Sequence, residues 1–527
     1  MRPSRRVAVG ITFTVMAAVA ALQIQHHTEL RRGAELAALY CSSCHLEPDP
    51  GILPKRSWEA ALGYMGYWLG IENIDYLDDD PGFVQANVSS RLEVLERDGV
   101  FPSAPLLSDE DWDTLRRYYV DSAPSNALLP TGKPVLHWEL PQFEIFRSSY
   151  RQPLPVTTLV HIRDTTGDVY IGDSLAQSLT VLDGNGQVRT SRRFRPPISP
   201  IDIEFVGDTA YLGSIGDLLA QRPSAARPAH ISALALVDQS IADATSEVVL
   251  ENLFRLADIE VADLNDDGRL DFVVSGFGSI TGSVSLFQAL PGGVYEEHVL
   301  LPLPGAVKAE THDFNGDGHL DIMVLVSDAR EGLHILLNQG NGEFERQTVF
   351  ETHSAYGHTY MELHDFNDDG LMDVLVVNGD NVDSDPYNTL KKYHGVRIYL
   401  NRGDYEFEEA YFYPMYGAFI AKAADFDNDG DLDIAAISFY PDFASEQREA
   451  FVHLENRGGF EFAAFTDEAV VNGRWMTMDV GDIDGDDDVD VVLGGGYLEI
   501  GMHAYLDLYD ELVETGASVL ILKNTLN

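Results

Sequence analysis

The chain has 527 residues and a formal net charge of −50, from 85 Asp and Glu against 35 Lys and Arg. That length exceeds what one hydrophobic core supports, so two or more domains are expected. The charge argues against nucleic acid as a partner, because phosphate binding needs clustered cations, and it favours solubility and basic partners.

Arg2, Arg5 and Arg6 precede an apolar run over 7–24. A basic segment followed by an apolar one reads as an export signal or a single membrane anchor. The run is long for a cleaved signal and short for a span, and Ala18 with Ala20 offers a small-residue cleavage site. Residues 1–32 are assigned to this role. The expected location is the bacterial cell envelope, periplasmic or extracellular, with the N-terminal segment either removed or holding the chain to the inner membrane.

The chain's only cysteines are Cys41 and Cys44, and His45 follows directly. C-x-x-C-H is the attachment signature of c-type haem: both thiols add to the haem vinyl groups and the histidine becomes the proximal iron ligand. A zinc site would need a second ligand pair, and a redox C-x-x-C a βαβ context; neither is visible. Haem of this kind is attached outside the cytoplasm, so the motif and the export segment agree.

Residues 33–126 read as helical. Glu35 to Tyr40 forms a short helix leading into the motif. Ser57 is the expected N-cap of a helix with the stripe Trp58, Leu62, Met65 and Leu69. Ser108, three residues before Asp111, resembles a capping box, opening a helix with Trp112, Leu115, Tyr118 and Tyr119. The motif and this helix order resemble a small cytochrome c. The resemblance implies one covalent haem c, held by Cys41, Cys44 and His45, that carries single electrons. It makes Met65, the only methionine between the motif and the strand-rich region, the candidate sixth ligand; a core methionine on the helix stripe is the alternative.

Residues 127–134, with Pro130, Gly132 and Pro134, read as a linker. From 135 to 527 strands dominate, and a D-x-[DN]-x-D-x-x-x-D loop recurs five times. The side-chain positions are Asp263, Asn265, Asp267 and Asp271; Asp313, Asn315, Asp317 and Asp321; Asp365, Asn367, Asp369 and Asp373; Asp425, Asp427, Asp429 and Asp433; Asp482, Asp484, Asp486 and Asp490. Arg269, His319, Leu371, Asp431 and Asp488 stand at the seventh position and offer backbone carbonyls. This spacing wraps oxygen ligands around one hard cation, so about five Ca2+ are expected, chiefly as structural staples. Glycine fills the sixth position in four loops. Asp487 fills it in the fifth and is expected in a left-handed or strained backbone, making this site the weakest or most distorted.

Each loop is followed by an apolar strand, another strand and a glycine-containing hairpin, as in Ile335-Leu-Leu-Asn before Gly340 and Phe344. Loop starts lie 50, 52, 60 and 57 residues apart, about one four-stranded blade each. The pattern resembles the FG-GAP and VCBS repeats of integrin-type β-propellers. Two degenerate units, around Asp164 to Asp168 and Asp202 to Asp208, precede the five and are expected to bind no calcium there. The resulting fold class is multidomain: a small all-α cytochrome c-like domain followed by an all-β seven-bladed propeller with calcium loops. The last unit lacks a fourth strand, which residues 135–146 are placed to supply, closing the ring.

Asp258, Lys308, His358, Tyr360, Arg474 and Trp475 are expected near the central channel, as a ligand site or as plain lining. Three excursions, 379–394, 440–448 and 494–515, leave the repeat. Tyr411, Phe412, Tyr413, Tyr416, Phe439, Tyr440 and Phe443 suit either glycan stacking or packing between blades. No catalytic set stands out. The leading reading is an electron-transfer protein whose propeller docks a redox partner protein or a surface ligand. The alternatives are a propeller-based oxidoreductase or carbohydrate-active enzyme whose haem is the electron outlet, and an adhesion module with a redox-sensing haem. From 34 to 121 there are 17 acidic and six basic residues, which suits a basic redox partner.

Overall fold

The computed structural model describes the chain apart from residues 1–4, 44, 72–95, 97–98, 195–197, 219–227, 238–239, 279–280, 329, 341, 382–384, 386 and 527, and the backbone alone for 5–22. Arg2 and Cys44 therefore lie outside the described residues, as do the side chains of Arg5, Arg6, Ala18 and Ala20. The chain divides into two compact units: Met1–Leu128 with Asp385–Thr389, and the remainder.

The first unit holds α1 (Arg5–Tyr40), α2 (Lys55–Trp68) and α3 (Asp109–Ser122). The short helix expected before the cysteines is the end of one continuous helix, since the sequence has no proline or cap to interrupt it. Gly33 is tolerated inside it because α1 and α3 approach closely there: a Cβ on Gly33 would lie 2.3 Å from Tyr118 Cβ. α2 begins three residues earlier than expected. Pro54, not Ser57, is its N-cap, and proline's fixed φ suits that boundary. Ser108 caps α3 as expected, its hydroxyl accepting from the Asp111 amide at 3.2 Å. Leu36, Trp58, Leu62, Trp112, Leu115 and Tyr119 form the core of this unit, with Met65 and Cys41 packed against it. Among the described residues no helix is long and apolar enough to cross a membrane.

The second unit is a seven-bladed β-propeller. Its sheets are β3–β6 (Thr157–Arg163, Asp168–Asp173, Ser178–Leu182, Val188–Arg193), β7–β10 (Pro200–Val206, Thr209–Ser214, Ala229–Val237, Ser240–Leu253), β11–β14 (Leu256–Ala262, Asp271–Gly276, Ser283–Leu290, Val294–Leu301), β15–β18 (Ala306–His312, Asp321–Val326, Gly332–Asn338, Phe344–Glu351), β19–β22 (His358–His364, Asp373–Asn378, Gly395–Asn401, Phe407–Pro414), β23–β26 (Ala418–Ala424, Asp433–Ser438, Phe451–Asn456, Phe462–Thr466) and β27–β29 (Trp475–Gly481, Asp490–Gly495, Val519–Asn524). The first strand of each blade lies against the first strand of the next, around a closed ring. Second strands are sandwiched between blades: Ile322, Met323, Val324 and Leu325 on β16 are fully buried. That burial on both faces explains why they read as continuous apolar runs rather than alternating ones.

Closure follows the sequence expectation. β2 (Phe143–Arg147) pairs antiparallel with β29 as the fourth strand of the last blade, Phe143 opposite Asn524. β1 (Leu136–Trp138), from the same segment, does something the sequence did not suggest: it pairs in parallel with β26 as a fifth strand of the sixth blade.

Candidate functional site

Each blade is an antiparallel meander, so connections from first to second strand fall on one face and those from second to third strand on the other. The five acidic loops join first to second strands and share one face. The excursions 379–394, 440–448 and 494–515 join second to third strands and lie on the opposite face.

Within each loop the ninth aspartate begins the second strand and clamps two segments. Asp271, Asp321, Asp373, Asp433 and Asp490 each accept the amide of the loop's second residue through one oxygen, at 2.9–3.2 Å. The other oxygen accepts an amide at the third strand, from Ala289, Asn338, Asn401, Asn456 and Asn524, at 2.7–2.8 Å. The first aspartate accepts amides across the turn; Asp313 takes those of Gly316, Asp317 and Gly318. Burial alone would raise the Asp313 carboxyl, but these amides outweigh it and hold it below the usual range. Asn265, Asn315 and Asn367 turn their side-chain oxygens inward, accepting the fifth-position amide at 2.8–3.0 Å.

In loops four and five, oxygens of Asp425, Asp427 and Asp433, and of Asp482, Asp484 and Asp490, lie within 4.8 Å of one another. Burial pushes Asp433 up to about 7; the Asn456 amide opposes this and the Asp427 carboxylate adds to it. Asp490 is likewise raised to about 7 by burial, against the amides of Ile483 and Asn524 and with Asp484 adding. Carboxylates gathered this closely repel one another, which is the condition a divalent cation relieves.

Asp487 adopts φ +68, beside Gly268 at +83, Gly318 at +90, Gly370 at +86 and Gly430 at +98. The left-handed backbone is therefore kept without glycine. The fourth position is left-handed too: Asp266, Gly316, Asp368, Asn428 and Gly485 have φ between +57 and +82. Only Gly, Asn and Asp occur there, a signal the sequence carried unread. Loop five has a further oddity: Lys523 pairs with Asp484, one of the expected ligands.

The seventh-position side chains reach neighbouring loops. His319 lies 3.2 Å from Asp266, and Asp488 accepts from Asn428 at 2.9 Å. Arg269 instead folds onto its own loop, pairing with Asp267 and donating to the Ala289 carbonyl. Leu371 is exposed, and Asp431 is raised by burial and by Asp429 beside it. Asparagines closing the third strands complete the scaffold: Asn338 donates to the carbonyls of Leu320 and, in the preceding blade, Leu264. Asn524 does the same with Val489 and Phe426.

Of the six residues expected near the channel, Asp258, Lys308 and Tyr360 stand at the third position of first strands and are half-buried or buried there. Lys308 Nζ lies 2.9 Å from Asp258. The other three are structural. His358 is buried with its Nδ1 2.7 Å from Glu331. Trp475 donates its ring N–H to the Val470 carbonyl. Arg474, 1% exposed, donates to the carbonyls of Phe439, Leu498 and Ile500 and stacks 3.8 Å from the Phe439 ring centre. Burial lowers it to about 10. Of the aromatic cluster, Tyr413, Phe439, Tyr440 and Phe443 are buried, and so offer no open stacking platform.

In the helical unit Cys41 opens a short turn after α1, half-buried against the core cluster. Tyr119, buried, faces it. His45 is half-buried, with Nδ1 2.7 Å from the Leu46 carbonyl. That contact fixes the ring and leaves Nε2 without a partner among the described residues.

Residues 313–376 match the model of the FG-GAP-like repeat, covering loops two and three and the strands between them. No curated protein matches. Among solved structures, the N-terminal domain of Nup159 is similar at 11% identity and a TM-score of 0.39, over 75% of this chain and 98% of that one. At that level the fold assignment rests on the seven sheets themselves.

Proposed function

We propose that the chain is an exported c-type cytochrome of the bacterial envelope, carrying a calcium-stabilised propeller as its docking scaffold. The observation that supports it most is His45: its Nδ1 is engaged by a backbone carbonyl, four residues after Cys41, which packs against an apolar aromatic core. Cys41 and Cys44 would hold the haem covalently, His45 would ligate through Nε2, and Met65, half-buried on the cluster that packs Cys41, would be the second iron ligand from the protein. Bound there, haem supplies a reversible one-electron iron couple. The chain's own part is to exclude water with Trp58, Trp112 and Tyr119 and to fix the histidine tautomer.

In the propeller, each acidic loop would take one Ca2+ through its first, third, fifth and ninth side chains and the seventh carbonyl. The ion would relieve the repulsion among carboxylates that already clamp the strands. The excess of acid over 34–121 favours a basic redox partner. The test is electron transfer from the reduced full chain to hexaammineruthenium(III), a cation, and to ferricyanide, an anion. The expected result is a rate with the cation that falls as salt is added and a rate with the anion that rises. Salt-insensitive rates with both would remove the case for an acidic docking surface.

A further inference from the structure

Acids on the first strands join one blade to the next. A carboxylate on one first strand accepts a backbone amide on the following first strand, an edge donor that no strand of its own sheet pairs. At three junctions the acceptor is the fifth residue of the strand: Glu310 takes the Leu363 amide at 3.2 Å, Glu362 that of Ala423 at 3.1 Å, and Asp479 that of Ile162 at 2.7 Å. At two others it is the third residue: Asp202 takes Ile259 and Asp258 takes Ala309, at 2.9 and 2.8 Å.

On those last two strands the fifth residues, Glu204 and Glu260, are surplus. Glu204 accepts no protein hydrogen bond among the described residues, and Glu260 meets only the Thr311 hydroxyl, at 3.5 Å. Three more carboxylates face them: Asp202 on β7, Asp258 on β11 and Glu310 on β15. Lys308, which acts on both, is already bonded to Asp258. Lys422, on the first strand of the sixth blade, acts on Glu310 but is itself paired with Glu362 and Asp479. His161 on β3 is held low by burial and lies beside Asp479; Tyr211 on β8 pairs with Glu204; Val273 on β12 pairs with Glu260; Tyr360 on β19 lies beyond Lys308.

We propose that Glu204 and Glu260 form a proton-binding site in the channel wall, filled at neutral pH. Five carboxylates around Lys308 in a half-buried space cannot all ionise, and the two without an amide partner take up the proton most readily. Burial, then Asp202, pushes Glu204 up to about 8. Burial, with Lys308 opposing and Asp258 adding, pushes Glu260 up to about 9. The protons are shared among interacting carboxyls, and their release in alkali roughly doubles the net negative charge of this sector of the channel.

The test is infrared spectroscopy of the full chain saturated with calcium, which keeps the loop carboxylates ionised. The expected result is a protonated-carboxyl band at neutral pH that disappears above about pH 9. It should weaken in both Glu204→Gln and Glu260→Gln and vanish in the double variant. A wild-type protein without this band at neutral pH, or a band at full strength in both single variants, would overturn the proposal. The wild-type and single-variant results decide it even if the double variant does not fold.

Discussion

The carboxylate of Asp479, on the first strand of the last blade, accepts the backbone amide of Ile162, on the first strand of the first blade, at 2.7 Å. This bond joins the two ends of the propeller at its axis, while β2 joins them at the rim. Asp479 also lies 3.3 Å from Lys422 in the sixth blade, so one side chain ties three blades together.

Asp479→Ala leaves the Ile162 amide without its acceptor and Lys422 with one carboxylate fewer. The expected loss is about 2–3 kcal/mol of stability, read as a lower urea midpoint. Asp479→Asn keeps an acceptor oxygen and should lose about half as much.

The fifth acidic loop should improve with a single change. Asp487 holds φ +68, which costs an L side chain about 1 kcal/mol that glycine avoids. Asp487→Gly should raise the thermal midpoint in calcium. Chelating calcium should lower the midpoint of both proteins, because the aspartates of all five loops would then repel one another. A midpoint indifferent to calcium would count against ions in these loops.

Arg474 should behave as a structural pin. Arg474→Met leaves the carbonyls of Phe439, Leu498 and Ile500 without a donor, at an expected cost of about 3 kcal/mol. Arg474→Lys should rescue little, because an ammonium cannot span three carbonyls as the planar guanidinium fork does. Limited proteolysis should then cut first within 440–448 and 494–515, the excursions these carbonyls anchor.

Acid should weaken the propeller through its buried histidines. Burial, with Arg346 adding, lowers His334 to about 4 from the ordinary 6.5. The folded state therefore binds this proton less readily than the unfolded chain, and stability falls as pH drops from about 6.5 to about 4. The limiting loss is about 3 kcal/mol. His334→Gln should flatten this part of the urea midpoint against pH.

Much of the propeller was legible because its signals are local and repeated. Asp271 and its four equivalents each sit at a loop–strand boundary, and an unbroken apolar run after each marks a strand buried on both faces. The missing fourth strand followed from simple counting. The parallel pairing of Leu136 with Ala464 left no such trace, since it depends on where a linker happens to lie against a finished blade edge. Arg474 and His358 were misplaced for a related reason. Position before a loop indicates nearness to the axis, but a register shift at the start of each first strand decides which side chains turn inward. The inter-blade bonds of Asp202, Asp258 and Glu310 were invisible because they join residues more than fifty positions apart. The helical unit was readable where a cap is chemical, at Ser108, and misread where helix continuity needed only the absence of a breaker, between α1's start and Tyr40.

The proposed haem, covalently bound and ligated by His45 and Met65, can be tested directly. The direct measurement is the mass and the optical spectrum of the full chain, produced with haem-attachment machinery, beside Met65→Ala. The expected result is one haem added to the chain mass, and a far-red methionine–iron band in the oxidised protein that Met65→Ala abolishes. A chain mass without haem would contradict the claim outright, and a spectrum unchanged by Met65→Ala would contradict the ligand assignment.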